Sequence, residues 1–158
     1  MTLRTLDEAS NDRRDPARAV GNLGELVADR AFLGVVGPLN SDVAASEIPI
    51  ASAAHLALLS PAASNECLTK ALAGCLLPPK DLRLGRPNDF FRLVPTDDLE
   101  PAALVDYATR ILHVTHFAVA SDGQAYGKAL RAAFEGAIKG AGFTIVNGAD
   151  LDPANSTA

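Results

Sequence analysis

Apolar runs alternate with small polar loops through residues 31–65 of the chain. Residues 32–36, FLGVV, form a short continuous apolar run, which is typical of a parallel strand that is covered on both faces. Ser41 and Asp42 are both good N-cap residues, so a helix is expected to begin at one of them. Residues 56–59 are again apolar and strand-like. The stretch therefore predicts a strand–helix–strand unit.

Each of these two strands ends in a loop of small and polar residues, GPLNS after the first and SPAASN after the second. In open parallel sheets, ligands bind outside the carboxyl ends of the strands, where helix N-termini direct N–H groups and a partial positive charge outward. Ser41 and Ser64 fall in these two loops. The sequence therefore predicts that the loops form the floor of a small-molecule site.

The segments on either side of this unit are less regular. A short strand is expected over residues 3–6, followed by a charged loop over residues 7–14. A helix should then begin at Asp15 and Pro16, because aspartate caps the free N–H groups and proline fits the first helical position. The prolines and glycines between residues 65 and 89 predict a long surface loop with at most one helical turn.

The second half of the chain also alternates between strands and helices. Strands are predicted over residues 90–94, 115–120 and 143–146, and a helix over about residues 99–112. The helix between the last two strands has the clearest amphipathic pattern, with Gly142 placed to end it. Its apolar positions are Tyr126, Ala129, Leu130, Ala133, Phe134, Ala137, Ile138 and Ala141. The order β-α-β-α-β-loop-β-α-β-α-β predicts an α/β protein.

Composition excludes several classes of function. The net charge of -5, the absence of a run of Lys and Arg, and an aromatic content of only 5% argue against nucleic-acid binding. No apolar run approaches the roughly 20 residues that a transmembrane helix needs. The first residues are not followed by the apolar region of a signal peptide.

Catalysis and metal binding are also disfavoured by the sequence. There is no Gly-x-Ser-x-Gly elbow, no evident histidine–acid partner for Ser41 or Ser64, and no glycine-rich phosphate loop. The three histidines, at positions 55, 113 and 116, do not recur at metal-ligand spacing, and we expect them at the surface or at element edges. We therefore expect a protein that is not an enzyme and has no cofactor.

The two cysteines, Cys67 and Cys75, are too few for a structural zinc site and enclose a loop of small residues. If the protein is exported, we expect them to form a disulfide beside the predicted site. If it is not, two free thiols are the simpler expectation.

Three blocks of sequence, taken in their order, resemble a known family. They are GVVGPLNSDVAASEIPIASAAHLALLSPAASN, FFRLVPTDDLEPAALVDYA and FAVASDGQAYGKALRAAFEGAIKGAGFTIV. Together they are similar to the type I periplasmic solute-binding proteins, most of all to the Leu/Ile/Val-binding group that serves ABC transporters. The resemblance implies two Rossmann-like or flavodoxin-like three-layer lobes that close on a ligand by a hinge. It also implies amino-acid uptake with an ABC membrane permease, in the periplasm or outside the cell, where a lipoprotein anchor is compatible with it.

By this resemblance, lobe 1 covers residues 1–95 and lacks the first strand and helix of the family. Residues 90–94 lead into the hinge, and residues 96–158 are the truncated start of lobe 2. The chain is therefore expected to be an internal piece of a longer protein or the product of a truncated gene.

The resemblance also implies a set of ligand-binding residues. Ser41 and Ser64 hold the carboxylate of the ligand, and a carbonyl near Ala62 or Ala63 faces its ammonium group. Tyr126 covers the ligand from lobe 2. An acidic partner for the ammonium group and a further aromatic residue are expected outside this chain.

Each of these residues also has a simpler interpretation. Ser41 fits an ordinary N-cap, Ser64 fits a turn, and Tyr126 lies on an apolar stripe that favours core packing. The fold has a second use as well, because it also serves as a ligand-sensing domain in receptors and transcription regulators. The segments that flank this piece in the gene would distinguish transport from sensing.

Overall fold

The computed structural model describes residues 3–10, 13–73, 75–123 and 125–151. Contacts within the chain divide it into two compact units, Met1–Pro95 (unit 1) and Thr96–Ala158 (unit 2). Each unit combines α-helices with parallel strands. The chain is therefore an α/β protein, as the alternation of its apolar patterns predicts.

Unit 1 contains a three-stranded parallel sheet. Its elements are β1 (Ala9–Ser10), β2 (Arg13–Arg14), α1 (Pro16–Ala28), β3 (Gly34–Val36), α2 (Ser41–Ala54), β4 (Ala57–Ser60), a 3₁₀ helix (Glu66–Leu68), α3 (Pro79–Leu82) and β5 (Phe90–Arg92). The strand order is β3-β4-β5, with Val35 opposite Leu58 and Leu58 opposite Phe90. The predicted strand–helix–strand unit is thus confirmed, and its helix begins at Ser41. The expected N-cap role of Ser41 or Asp42 is wrong, because Asn40 is the N-cap and its side chain makes no capping hydrogen bond.

Local sequence explains where α1 begins. The Asp15 carboxylate accepts hydrogen bonds from the backbone N–H groups of Ala17 and Arg18, which have no partner within the helix. Pro16 occupies the first turn, where its missing N–H costs nothing. Both roles were predicted from the sequence.

Two further local expectations for unit 1 are wrong. Residues 3–6 do not form a strand. A ladder instead pairs Ala9 with Arg14 and Ser10 with Arg13, inside the predicted charged loop. A strand needs a neighbour to pair with, and among the described residues β3 pairs only with β4. The long loop before β5 contains two short helical turns, the 3₁₀ helix and α3, where at most one was expected.

Only one face of the unit 1 sheet is covered by the described residues. Leu58 and Phe90 are almost fully buried in a core that α1 and α2 share with the sheet. On the opposite face, Val36 is 81% exposed and Phe91 is 50% exposed. Val36 and Phe91 are each paired in register with Leu59, so they share that face. Parallel sheets are normally covered on both faces, so the unit shows two of the three layers expected for a lobe.

Unit 2 has the same incomplete layering. Its elements are α4 (Glu100–Arg110), β6 (His116–Ser121), α5 (Ala125–Gly140) and β7 (Thr144–Asp150). Helix α5 packs against α4 and against the parallel pair β6-β7. Of the predicted apolar stripe on α5, Ile138 is fully buried, and Tyr126 remains 42% exposed. No helix within the described ranges is long and apolar enough to cross a membrane.

A disulfide joins Cys67 and Cys75, with 5.4 Å between their Cα atoms. It begins in the 3₁₀ helix and closes a short loop before α3. This agrees with the bonded pair expected for an exported protein.

We predict that the double variant Cys67→Ala/Cys75→Ala will lose about 2 to 3 kcal/mol of unfolding free energy. The crosslink lowers the conformational entropy of the unfolded chain. Because it closes only a short loop, its contribution to stability is at the lower end of the range for disulfides. Urea unfolding of the oxidised wild type and the variant measures the difference. Two thiols that react with an alkylating reagent before any reductant is added would contradict the crosslink itself.

A buried acid on α2 makes the stability of unit 1 depend on pH. Glu47 is only 7% exposed. Its burial raises the pKa of the carboxyl from 4.5 to about 7, and the negative charge of Glu8 adds to the effect. The folded state therefore holds this proton more tightly than the unfolded chain does.

We predict that the wild type will lose stability as the pH rises from about 4.5 to 7, relative to Glu47→Gln. In that window the unfolded chain releases the proton first, so the loss should reach on the order of 2 to 3 kcal/mol near pH 7 and level off above about pH 8. Urea unfolding across this range measures the difference. Glu25→Gln, which alters an exposed acid on α1, is the control. Equal pH slopes for wild type and Glu47→Gln would contradict the prediction.

Candidate functional site

The loops that follow β3 and β4 are joined by a buried hydroxyl. Ser60, at the end of β4, donates from Oγ to the carbonyl of Pro38 at 2.6 Å and is fully buried. The same oxygen accepts from the backbone N–H of Ala63 at 2.8 Å and from that of Ala62 at 3.3 Å. One side chain therefore satisfies backbone groups from both loops and holds the carboxyl ends of the two strands together.

A second bond joins the same loops through a predicted site residue. Ser41, the first residue of α2, accepts from the backbone N–H of Asn65 at 3.1 Å. This places the Ser41 hydroxyl beside the loop that carries Ser64. A hydroxyl that accepts a hydrogen bond keeps its own proton for donation. The structure thus brings together the two predicted loops, which are 24 residues apart in sequence.

A third contact comes from β5. The Nη1 atom of Arg92 donates to the carbonyl of Ala63 at 2.9 Å and to that of Asn65 at 2.8 Å. Its Nη2 atom makes a short hydrogen bond to the Thr69 hydroxyl. The guanidinium carbon also lies 5.7 Å from the centre of the Phe90 ring, a distance typical of a cation–π contact. The two carbonyls that flank Ser64 therefore both face one cation.

The chemistry at this edge of the sheet suits an anion more than a cation. Ser41 is at the N-terminus of a 14-residue helix, where the peptide dipoles leave a partial positive charge. The guanidinium of Arg92 lies behind the second loop. No group of three or more His, Cys, Asp or Glu side chains able to hold a metal occurs among the described residues.

Tyr126 belongs to unit 2. Its phenol donates to the Oδ1 atom of Asp97 at 3.3 Å, and Asp97 is only 8% exposed. Since the ring of Tyr126 remains half exposed, its position on the apolar stripe does not make it a core residue. Sequence reasoning placed Tyr126 correctly in α5 but gave no sign of Asp97 as its partner.

The carboxyl ends of β6 and β7 carry a charged cluster that the sequence analysis did not identify. Ser121 donates to Asp150 at 2.6 Å, and Arg131 donates to Asp150 at 2.9 Å and to Glu135 at 2.7 Å. The Ser121 hydrogen bond and then Arg131 lower the pKa of Asp150. These bonds join both strands to α5, so the cluster stabilises unit 2.

Sequence reasoning also missed Ser60 and Arg92, the two side chains that hold the unit 1 loops. A signal for each exists in retrospect. Ser60 is the polar residue at the end of an apolar run, and Arg92 is a charge inside the strand-like run FFRLV. Neither signal identifies the partners. Ser60 bonds a carbonyl 22 residues away, and Arg92 bonds carbonyls 27 and 29 residues away.

Comparison with known proteins identifies the family. A family model described as periplasmic binding protein matches residues 8–157. A search of curated proteins finds no match. Among solved structures, an ABC transporter substrate-binding protein from Desulfitobacterium hafniense, in complex with Leu, has a TM-score of 0.69 and 22% identity. It covers 90% of this chain, and this chain covers 38% of it.

Two further structures give the same result. A branched-chain amino acid transporter substrate-binding protein from Streptococcus pneumoniae, in complex with isoleucine, has a TM-score of 0.67 and 20% identity, with 92% of this chain and 37% of that chain covered. A leucine-binding protein from Thermotoga maritima has a TM-score of 0.62 and 19% identity, with coverages of 87% and 35%.

The chain spans little more than a third of the length of these structures. At these identities the likeness establishes the fold, and it confirms the predicted type I periplasmic binding fold with incomplete lobes. The family model covers nearly the whole chain, and so this chain belongs to the periplasmic binding protein family.

Proposed function

We propose that the chain is part of a non-catalytic binding protein that captures a small zwitterionic ligand, an amino acid, for ABC-type uptake. The observation that carries the proposal is the bond from the Asn65 N–H to the Ser41 hydroxyl, which unites two loops of neutral hydrogen-bonding groups at a helix N-terminus. The structural neighbours solved with leucine and isoleucine support the choice of ligand class.

In this proposal, Ser41 and Ser64 bind the carboxylate of the ligand. The Ser41 hydroxyl donates its proton, and the partial positive charge of the α2 N-terminus favours the anion. Of the two carbonyls considered for the ammonium group, that of Ala63 accepts from Arg92. A second cation at that oxygen would be repelled, so we assign the ammonium contact to the Ala62 carbonyl.

Tyr126 is a separate part of the proposal, based on the family resemblance. Its phenol donates to Asp97, which fixes the direction of the ring's polar end. We propose that this half-exposed ring contacts the amino acid. The selectivity between amino acids is assigned to residues outside the set named here, because these groups bind the part that all amino acids share.

The family also supports a location and a partner. We propose that the full-length protein acts in the periplasm or outside the cell and delivers its ligand to an ABC membrane permease.

We predict that Ser41→Ala in the full-length protein will weaken L-leucine binding about tenfold or more. Removing a hydroxyl that bonds a charged group costs about 1.5 to 3 kcal/mol. Ser64→Ala should act in the same direction. Titration calorimetry measures both effects. Ser46→Ala is the matched control, because this serine lies on the same helix and its hydroxyl bonds the carbonyl of Asp42.

Leucine is the first member of a panel of amino acids for this experiment. If no amino acid binds the wild type, or if Ser41→Ala and Ser64→Ala bind as tightly as the wild type, the proposal is wrong. A ligand-sensing role for an unrelated compound would then be favoured.

A further inference from the structure

We propose that Arg92 is a positioning residue for the ligand loop, defined as residues 61–65, and that its guanidinium sets the orientation of Ser64. This inference rests on the proposed function, since it concerns a loop assigned to the ligand there. Arg92 does not touch the ligand in this proposal. It acts through the backbone on both sides of Ser64.

The geometry of the guanidinium supports this role. One nitrogen, Nη1, bonds the carbonyls of Ala63 and Asn65, which precede and follow Ser64. With both carbonyls turned toward Arg92, the Ala63–Ser64 and Asn65–Glu66 peptide planes are fixed. The Ser64–Asn65 peptide lies between these two planes and bears the N–H group that meets the Ser41 hydroxyl. The clamp therefore holds this peptide from both sides and keeps its N–H directed at Ser41.

Three interactions fix the position of Arg92 itself. Its strand, β5, is paired in register with β4, with Arg92 opposite Ser60. The ring of Phe90, which is almost fully buried, lies against the guanidinium. The Thr69 hydroxyl accepts a hydrogen bond from the other terminal nitrogen, Nη2. Thr69 lies inside the loop closed by the Cys67–Cys75 disulfide. A strand paired within the sheet thus contacts the loop after β4 at three acceptors, the carbonyls of Ala63 and Asn65 and the Thr69 hydroxyl.

A lysine at this position cannot replace the arginine. The guanidinium is planar and has five N–H donors in a fixed fork, whereas an ammonium group is a compact point charge on a flexible stem. Arg92→Lys keeps the charge but loses the fork. The pair Arg92→Lys and Arg92→Gln therefore separates the contribution of charge from that of geometry.

The first test is amide hydrogen exchange on the full-length protein without ligand. In Arg92→Gln the Asn65 amide should exchange about tenfold faster or more, because the loop opens locally. The amides of Ile48 and Ala51, in the middle of α2, should keep their wild-type rates. In Arg92→Lys the Asn65 exchange rate should lie between that of the wild type and that of Arg92→Gln. Arg110→Gln is the matched control, since it removes an exposed arginine that pairs with Asp106 on α4.

Two results of this test would overturn the proposal. An unchanged Asn65 rate in Arg92→Gln would mean that the clamp does not hold the loop. An equal acceleration of the Asn65, Ile48 and Ala51 amides would mean that Arg92 only stabilises unit 1 as a whole.

The second test is calorimetry with L-leucine on the same variants. We expect Arg92→Gln to bind about tenfold more weakly or worse, and Arg110→Gln to bind as the wild type does. Selective acceleration of Asn65 with unchanged leucine affinity would overturn the link to the ligand. If the wild type itself binds no amino acid, the proposed function fails, while the exchange test still decides whether Arg92 positions the loop.

Discussion

The buried hydroxyl of Ser60 satisfies backbone groups from two loops that are distant in sequence. It donates to the Pro38 carbonyl and accepts from the N–H groups of Ala62 and Ala63. Buried backbone groups without a partner cost about 1 to 3 kcal/mol each, so one serine removes several such costs at the edge of the sheet. The approach of Ser41 to Asn65 depends on this contact, because both loops must first be drawn together.

Layering is the second constraint on the molecule. In unit 1 the helices cover the face that bears Leu58 and Phe90, and Val36 on the opposite face is largely exposed. Parallel sheets are stable when helices cover both faces. The chain matches little more than a third of the length of its structural neighbours, which is consistent with units that have one helical layer each. The two loops at the carboxyl edge of the unit 1 sheet are nevertheless joined by hydrogen bonds.

The features that depend on neighbouring residues in sequence could be predicted, and most of those that depend on distant partners could not. The start of α1 at Asp15 and Pro16 follows from capping chemistry within a few residues. Helix α2 begins at Ser41 as expected, but neither Ser41 nor Asp42 is its N-cap. The meeting of Ser41 with the Ser64 loop was predictable because parallel strands end at one edge. The strand expected over residues 3–6 failed, since pairing depends on a neighbour that no local pattern supplies. The role of Arg92 was hidden for the same reason.

A site built from neutral groups depends on accurate placement more than a site built from full charges. A hydroxyl or a backbone N–H stabilises a carboxylate only at hydrogen-bond distance and with good alignment, whereas the attraction of a charge falls off slowly. The full charge near the ligand loop, Arg92, is bonded to carbonyls and a hydroxyl of the protein itself. Its positive charge therefore helps to fix the loop, and under the proposed function the neutral groups of Ser41 and Ser64 are left to bind the carboxylate.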